Sequence, residues 1–543
     1  MRDSSERNFF FARVDTDTQV KTTADQMPVL DEQRPSFLAD GMLIVLFIAL
    51  ANFLLHLYFN NRYDYFRDEF NYMACGDHLA WGFVDHPPLV PFLLKICRLI
   101  FGDSLRSIRL FPALASSCTI IVTGMIAREL GGSRFALVLS ALTVALVPVY
   151  LVNASMLTTN YPEPLLWMSC IYFAILAIKR NAGHYWLLFG LVAGIGMEEK
   201  YSIAVFGFAL VVGLLLTEQR RIFGEKWIYL GGGVAFLAFL PNFLWNVHNH
   251  WPFVELMHNI KADGRDVVLS PFAYFAQQIL IVQPLAAPLW IAGVFAFLFS
   301  ARFKPYRAFG WCYVVAFGLF VALKGKNYYL APIYPVYLAA GAIVIENFIA
   351  RSRQLWLKPV IALLLVAGGA WLSPVVMPVL PIEQFISYMK TLPFPIPRSE
   401  HSHMRAILPQ HFADQFGWEE IVAEVNQAYT RLSPEERGGC GIFAQDYGQA
   451  GAIDFFGRRY GLPPALSGHQ TYFLWGPHGY SGNCLVVLDD TKEKLEQLFE
   501  HVEYVGTSSD NPYALEREIP VYICRGAKFG SLGAAWPQLK KWR

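Results

Sequence analysis

The chain has 543 residues, of which 55% are hydrophobic and 16% are charged, and its formal net charge is +1. Soluble domains carry about 25% charged residues, so this composition argues against an ordinary soluble enzyme and excludes disorder over most of the chain. The small net charge gives no general attraction to nucleic acid. The 8 cysteines include no Cys-x-x-Cys pair, so their spacing indicates neither a disulfide scaffold nor a zinc site.

The first 36 residues are polar and lack an early apolar stretch, so they are predicted to form a cytoplasmic tail and not a cleaved signal. From residue 37 onward, apolar segments long enough to cross a bilayer follow one another. The first is predicted to stay in the protein as a signal anchor. The sequence predicts about eleven transmembrane helices, at approximately residues 37–59, 109–127, 134–152, 161–178, 184–197, 202–217, 227–245, 275–300, 308–323, 328–350 and 357–376.

The short connections between these segments alternate in their content of lysine and arginine. One set is rich in both, for example Arg128 and Arg134 after the second segment and Lys179 and Arg180 after the fourth. The alternate set is poor in positive charge. Because positively charged loops stay in the cytoplasm, the N-terminus is predicted to be cytoplasmic. With an odd number of spans, the C-terminal region is then outside.

Two segments are not predicted to cross the membrane. Residues 60–108 form a long, semi-polar and aromatic first outer loop, which divides the predicted membrane region at residues 37–379. Residues 380–543 are far more polar and are predicted to be an extracytoplasmic α/β domain, preceded by a Pro-rich linker at 374–397. Its predicted strands lie at residues 440–444, 484–488 and 521–524, and its predicted helices at residues 449–460 and 492–500.

Unusual polar side chains cluster in the predicted outer loops. Ionisable groups beside a membrane are costly unless paired or solvated, and lysines on the outer side break the charge bias. Carboxylates and cations on one face of the bilayer suit a reaction on a lipid with a charged headgroup, because a carboxylate acts as a base while cations neutralise a phosphate leaving group. The candidate residues are Asp68, Glu69, Asp85, His86, Asn160, Glu163, Lys200, Tyr201, His250, Lys326 and Tyr329.

The order of these motifs resembles that of the GT-C glycosyltransferases. The resemblance is carried by residues 67–69, by the run LAWGFVDHPPLV at 79–90, and by four later stretches at residues 197–201, 241–251, 324–329 and 332–335. It covers about residues 37–380 and is closest to the protein O-mannosyltransferase-like family, with the lipid A aminoarabinose transferases as relatives. The resemblance implies transfer of a sugar from a polyprenyl-phosphate donor to an acceptor hydroxyl, with inversion, on the outer face of a bacterial inner membrane. The acceptor stays open between lipid A, another glycan and a protein.

The resemblance also implies roles for single residues. Asp68 matches the catalytic carboxylate and Glu69 is its orienting neighbour, while Lys200 and His86 match positions that meet the donor phosphate. Lys326 and Tyr329 match the late loop near the lipid carrier. Possible substrate-binding residues are Asp85, Asn160, Glu163, Tyr201 and His250.

One departure from the family concerns metal binding. Many relatives have an Asp in the outer turn that here offers Asn160 and Glu163, so no cofactor is certain and a divalent metal stays open. The adjacent pair Asp85 and His86 alone would make a poor metal cage.

Simpler explanations stand beside these roles. Lys200 and Lys326 also fit lysines that extend from span ends to the interface, and His250 fits packing beside Trp251. Among Cys440, Cys484 and Cys524 one disulfide is plausible, with the pair 484–524 slightly preferred. Segments 446–450 and 467–469 resemble the outer domain of some bacterial members, without an assignable chemistry.

Two other classes of function compete with the transferase. The first is a transporter or flippase of a lipid-linked sugar, and the second is a membrane-anchored sensor with an outer ligand-binding domain. An outer cavity that joins the first loop to Lys200 would favour the enzyme, whereas a continuous path across the bilayer would favour transport.

Overall fold

The computed structural model describes residues 41–397, 400 and 406–543. The predicted tail at residues 1–36 and the first four residues of the predicted first span lie outside the described residues. The described part comprises a bundle of helices and a smaller mixed α/β unit at residues 406–543, called here the C-terminal domain. This confirms the predicted fold class of a helical membrane protein followed by an α/β domain.

The helices of the bundle follow the apolar segments of the sequence. In chain order they are α1 Leu43–Phe59, α2 Arg67–Asp77, α3 Leu89–Phe101, α4 Leu105–Ile108, α5 Leu110–Glu129, α6 Arg134–Ala145, α7 Pro148–Ser155, α8 Glu163–Arg180, α9 Tyr185–Met197, α10 Ser202–Leu215, α11 Lys226–His248, α12 Pro252–Ala262, α13 Pro271–Ile281, α14 Ala287–Phe299, α15 Arg307–Ala322, α16 Tyr334–Ser352, α17 Leu357–Val376 and α18 Ile382–Met389. A 3-10 turn at Asn327–Ile333 leads into α16.

Every predicted span coincides with a helix or with a bent pair of helices. Among the described residues, five helical segments are long and apolar enough to cross a membrane, or up to eight if each bent pair is one span. Helices α1 and α9 are apolar but shorter. The length and apolar composition of these helices are those of an integral membrane protein. The number of eleven crossings stays a prediction.

Two predicted continuous spans are broken in the structure. Helices α6 and α7 meet at 57°, and α13 meets the segment that contains α14 at 99°. Pro148 begins α7 and Pro284 follows α13 at the second bend. Proline lacks an amide hydrogen and its ring clashes with the preceding turn, which explains why the apolar run continues but the helix does not.

The largest apolar core lies inside the bundle and joins α5, α6 and α8 to α14, α15 and α16. Helices α14 and α16 touch backbone to backbone, because a Cβ at Gly293 would overlap the carbonyl of Tyr337 and one at Gly341 would overlap that of Leu289. Small residues permit this close approach, which is the usual device of helix packing in membranes.

The predicted first loop contains helices α2, α3 and α4. In α3 the side chains of Val90, Leu94 and Cys97 are buried, whereas Phe92 and Leu99 are exposed. An amphipathic helix with exposed apolar residues suits the surface of a bilayer. The loop is therefore an ordered layer at one end of the bundle, and this layer carries α2.

The C-terminal domain is built on five strands, β1 Gly441–Phe443, β2 Ala465–Leu466, β3 Cys484–Leu488, β4 Phe499–Thr507 and β5 Pro520–Ala527, in a sheet of order β2-β1-β3-β5-β4. Strands β1, β2 and β3 are parallel, and β5 pairs antiparallel with both β3 and β4. The predicted strands and both predicted helices are present, whereas β2, β4 and the helix at Trp418–Arg431 were not predicted. In chain order the elements are α19 Gln410–Ala413, α20 Trp418–Arg431, α21 Pro434–Arg437, β1 Gly441–Phe443, α22 Tyr447–Phe456, β2 Ala465–Leu466, α23 Gln470–Trp475, β3 Cys484–Leu488, α24 Lys492–Leu498, β4 Phe499–Thr507, β5 Pro520–Ala527 and α25 Leu532–Ala535.

The preferred disulfide between Cys484 and Cys524 is wrong. Cys440 is bonded to Cys484, with Cα atoms 4.6 Å apart. Cys440 directly precedes β1, which pairs in parallel with β3, so the two side chains lie side by side. Cys524 is opposite Leu485 in the antiparallel ladder and faces the same side of the sheet as Leu485. Alternate residues of a strand point to opposite faces, so Cys524 is turned away from Cys484.

Candidate active site

The start of α2 is held by a buried ion pair. Glu69 and Arg109 are both fully buried, and the guanidinium donates to the two carboxylate oxygens at 2.8 and 2.9 Å. The same carboxylate accepts from the backbone N–H of Phe66 at 2.8 Å, which caps the first turn, and from that of Leu157 at 3.0 Å. This network fixes the helix turn that carries Asp68.

A cavity of about 690 Å³ lies at this end of the bundle, in the size range of about 300–1,000 Å³ typical of ligand sites. Its wall is formed by loop residues, by apolar side chains of the helices and by four residues of the C-terminal domain, Gln410, His411, Tyr447 and Gln470. Eight of the eleven predicted site residues line it, namely Asp68, Asp85, His86, Asn160, Lys200, Tyr201, Lys326 and Tyr329.

Three predicted site residues do not line the cavity. Glu69 faces the Arg109 network, where it suits the role of an orienting neighbour of Asp68. Glu163 is buried, accepts from Ser202 and pairs with Lys200, so in this structure its contacts are to the lysine and to Ser202. His250 is exposed outside the cavity, in keeping with its alternative as a residue of the interface.

Asp68 reaches the cavity and meets the C-terminal domain there. The hydroxyl of Tyr447, the first residue of α22, donates to Asp68 Oδ1 at 2.7 Å. Burial, with the negative charge of Asp68 adding to it, raises the pKa of Tyr447 well above its ordinary value. The phenol is therefore neutral and acts as the donor of this bond.

Asp85 and His86 form a second polar group in the cavity wall. His86 is buried, its Nδ1 donates to the carbonyl of Pro87 at 2.8 Å, and its Nε2 lies 3.7 Å from Asp85 Oδ1. With its amide nitrogen turned toward Asp85, Gln470 of the C-terminal domain donates to both carboxylate oxygens at 3.2 and 3.1 Å. Burial raises the pKa of the Asp85 carboxyl, and the nearby Asp68 charge raises it further.

Lys200 is held between a carboxylate and an aromatic ring. Its ammonium donates to Asn160 Oδ1 at 2.6 Å and to Glu163 Oε2 at 2.8 Å, and it lies 4.9 Å from the centre of the Tyr329 ring. Tyr201 follows Lys200 and donates to Asn242 Oδ1 at 2.9 Å. A positive charge is thus fixed in the wall of the cavity that also contains Asp68.

A second positive group lies around Lys326. The Lys326 ammonium is 2.7 Å from Glu400 Oε1 and 3.4 Å from Asp266 Oδ1. Arg265, which also lines the cavity, is 3.8 Å from Glu400. Five lysine and arginine residues line the cavity, Arg67, Lys200, Lys261, Arg265 and Lys326.

A metal held by the protein finds little support in this geometry. Across the described ranges, no three His, Cys, Asp or Glu side chains converge in a way that would hold an ion. Asp85 and His86 supply two adjacent ligands at most, and Asp85 is already bonded to Gln470. The residues that the structure describes therefore show no metal centre built by the protein alone.

Sequence reasoning missed the side chains that come from the C-terminal domain. Tyr447 lies within the segment 446–450, and Gln470 directly follows the segment 467–469. Both segments resembled other proteins, but only the tertiary fold brings them to Asp68 and Asp85. Arg265 lies in no sequence motif that would have marked it as a residue of the cavity.

The comparisons with known proteins agree with this fold. Residues 85–245 match the family model of dolichyl-phosphate-mannose-protein mannosyltransferase. The chain is similar in structure to ArnT from Cupriavidus metallidurans bound to undecaprenyl phosphate, with 16% identity and a TM-score of 0.61 over 89% of this chain and 97% of that one. For the apo state of that ArnT the identity is 17% and the TM-score 0.58, over the same shares of 89% and 97%.

A third similar structure is arabinofuranosyltransferase AftD from Mycobacteria, with 13% identity and a TM-score of 0.51 over 90% of this chain and 40% of that one. No curated protein sequence matches the chain significantly. The chain therefore has the GT-C glycosyltransferase fold. Its predicted resemblance to the protein O-mannosyltransferase-like family, with the lipid A aminoarabinose transferases as relatives, is confirmed by the family match and by the fold.

Proposed function

We propose that the chain is a membrane glycosyltransferase that moves a monosaccharide from a polyprenyl-phosphate donor to an acceptor hydroxyl, with inversion. The observation that carries the proposal is the single cavity lined both by Asp68 and by the basic side chains of Lys200 and Lys326. A cavity that joins the first loop to Lys200 is the feature expected of the transferase and not of the transporter.

The basic end of the cavity suits the donor phosphate. Lys200 and Lys326 are fixed by neighbouring carboxylates, and cations held in a partly dehydrated site stabilise a phosphate leaving group strongly. The similar structure of ArnT is bound to undecaprenyl phosphate. Apolar side chains of the bundle, such as Val152, Leu280 and Val376, line the same cavity and suit the first units of a polyprenyl chain.

Asp68 is assigned the role of general base. Its carboxylate accepts the proton of the acceptor hydroxyl while the acceptor oxygen attacks the anomeric carbon of the donor sugar. The bond between that carbon and the phosphate oxygen breaks, and the electron pair leaves with polyprenyl phosphate beside the cations. One displacement inverts the anomeric carbon, and the proton on Asp68 passes to solvent.

The remaining predicted residues are assigned supporting contacts. His86 and Asp85 would meet the sugar or its phosphate, Tyr329 would stack beside Lys200 near the carrier, and Asn160 and Tyr201 line the sugar end. No step is assigned to a metal. The sugar, and the choice between lipid A, another glycan and protein as acceptor, are left to experiment.

The sidedness of the reaction rests on the distribution of lysine and arginine in the loops. We assign residues 1–36 to a cytoplasmic tail, residues 37–379 to the catalytic membrane region and residues 380–543 to the periplasmic side of a bacterial inner membrane. The cavity, its loop layer and the C-terminal domain would then all lie on the outer face.

The test is transfer of labelled sugar from a panel of undecaprenyl-phosphate monosaccharides in membranes that contain the protein or a variant. Asp68→Asn should lower transfer by about 100-fold or more, the range of general-base effects. Asp103→Asn is the matched control, because Asp103 is a carboxylate of the same loop that is 45% exposed and pairs with Arg98 outside the cavity.

Full activity of the Asp68→Asn variant would refute the role of Asp68 as general base. Movement of intact lipid-linked sugar across the bilayer, without consumption of any donor in the panel, would replace the transferase by the transporter.

A further inference from the structure

The C-terminal domain is seated directly on the helix that carries the proposed base. Gly451 of α22 faces α2 so closely that a Cβ there would lie 2.7 Å from the Cβ of Phe70 and 3.0 Å from its carbonyl carbon. Phe70 in turn packs edge-on against Trp418, with ring centres 5.5 Å apart. The two helices therefore share one packed interface, and their relative position is fixed by side-chain contacts and by the absence of a side chain at Gly451.

Within this interface the Tyr447 ring is held on both sides. It stacks on His469 with ring centres 5.1 Å apart, and its backbone N–H donates to His469 Nδ1 at 3.2 Å. The guanidinium of Arg67 lies 5.8 Å from the centre of the Tyr447 ring and pairs with Asp414 at 3.3 Å. A ring so restricted delivers its hydroxyl to one place, which is Asp68 Oδ1.

A second contact ties the same domain to the neighbouring carboxylate. Gln470 donates to Asp85, and the next residue, Thr471, accepts from the backbone N–H of Val84 at 3.1 Å. The carbonyl of Gln470 accepts from the indole of Trp542 at 3.0 Å. Asp68 and Asp85 of the first loop thus each accept a hydrogen bond from the C-terminal domain.

We propose that Tyr447 is a positioning residue for Asp68, and that the C-terminal domain is in this way a part of the catalytic site. The hydroxyl of Tyr447 fixes Oδ1, and Oδ2 is then the oxygen that we assign to the acceptor hydroxyl. A carboxylate held in one orientation is ready to accept the proton of a bound hydroxyl, and such positioning lowers the cost of reaching the reactive geometry. The inference rests on the proposed function, because it gives Tyr447 a task only if Asp68 is the base.

Packing alone does not explain a tyrosine at this place. The ring could be stacked as well in a phenylalanine, whereas the hydroxyl at 2.7 Å serves only the carboxylate. The charged and titratable groups that face Asp68 are Arg67 and Tyr72 on its own helix, Asp85 in the loop, and Asp414 and Tyr447 from the C-terminal domain.

The experiment compares Tyr447→Phe with Tyr472→Phe. Tyr472 is the matched control, because its buried hydroxyl also donates to a carboxylate at 2.7 Å, but that carboxylate is Asp454 within the C-terminal domain and outside the cavity lining. The measurements are kcat and KM for the active undecaprenyl-phosphate sugar, which separate catalysis from binding, and the Kd of undecaprenyl phosphate.

Tyr447→Phe should lower kcat by about tenfold or more, since a hydrogen bond to a charged group is removed from the base. KM should stay within about twofold, because an interaction made only in the transition state lowers kcat and kcat/KM equally. The Kd of undecaprenyl phosphate should also stay within about twofold, since no cation is altered. Tyr472→Phe should keep the wild-type kcat and KM.

Each other outcome overturns the inference in a recognisable way. A kcat of Tyr447→Phe within about twofold of that of an active wild-type protein, or a loss confined to KM, refutes the positioning role and leaves the proposed function intact. Equal losses in both tyrosine variants assign the effect to the stability of the domain. A wild-type protein that transfers no sugar removes the proposed function and this inference with it.

Discussion

Replacing Glu69 by Gln tests whether the buried ion pair supports the site. The Glu69 carboxylate accepts four hydrogen bonds, two from Arg109 at 2.8 and 2.9 Å and one each from the N–H groups of Phe66 at 2.8 Å and Leu157 at 3.0 Å. A glutamine keeps one accepting oxygen and turns an NH₂ group toward donors, while Arg109 stays buried without a partner of opposite charge. Removing one member of such a pair costs about 3–5 kcal/mol.

The assay is the free energy of unfolding in mixed micelles, measured for the wild type, Glu69→Gln and Asp68→Asn. Glu69→Gln should lower this free energy by about 3–5 kcal/mol, whereas Asp68→Asn should leave it nearly unchanged because Asp68 faces the cavity. Glu419→Gln is the control, since Glu419 and its partner Arg459 are 49% and 44% exposed, and such pairs contribute about 1 kcal/mol or less. A Glu69 variant as stable as the control would refute the supporting role.

Three further predictions concern the disulfide, acid stability and the donor site. Thiol labelling of unfolded, unreduced protein should modify every cysteine except Cys440 and Cys484, and peptide mass spectrometry checks this. Burial lowers the pKa of His411 to about 4. The stability that its neutral form supplies is therefore full above about pH 6.5 and is lost as the pH falls toward 4. The difference in the free energy of unfolding between wild type and His411→Gln should change across that pH window in acid unfolding curves. Lys200→Gln should weaken binding of undecaprenyl phosphate by about tenfold or more, measured by equilibrium binding in detergent.

The sequence predicted the membrane helices well, and eight of its eleven candidate site residues line one cavity, because both kinds of feature leave local signals. Apolar runs of span length mark each helix, and ordered motifs around Asp68 and Lys200 mark the loops. The bends at Pro148 and Pro284 were missed because hydropathy continues through a proline while the hydrogen-bond ladder does not.

Asp68 and Glu69 have different partners because of helix geometry. Successive residues of a helix point about 100° apart, so two adjacent carboxylates at the start of α2 face different surroundings. Asp68 turns to the cavity and Tyr447, whereas Glu69 turns inward to Arg109. Which of the two faces which way depends on Arg109, forty residues later, and no local pattern reveals that.

The contacts from the C-terminal domain were beyond sequence reasoning for a related reason. Tyr447 is 379 positions from Asp68 along the chain, and only the seating of α22 on α2 joins them. Segments 446–450 and 467–469 resemble other proteins, but the sequence alone does not show what they do. In the structure the first segment caps and begins α22, and the second leads into Gln470, which contacts the first loop.

The replacement of the relatives' Asp by Asn160 and Glu163 in the outer turn has an electrostatic consequence. Where relatives have an Asp, this chain uses Asn160 and Glu163 together to hold the ammonium of Lys200. Lys326 is likewise paired with Glu400. A donor phosphate that enters the cavity therefore meets cations whose charge is already balanced, and it must take over contacts that these carboxylates hold. Binding of the donor is then an exchange of partners, so removing the Glu163 charge should strengthen the attraction of Lys200 for phosphate while loosening the position of its ammonium.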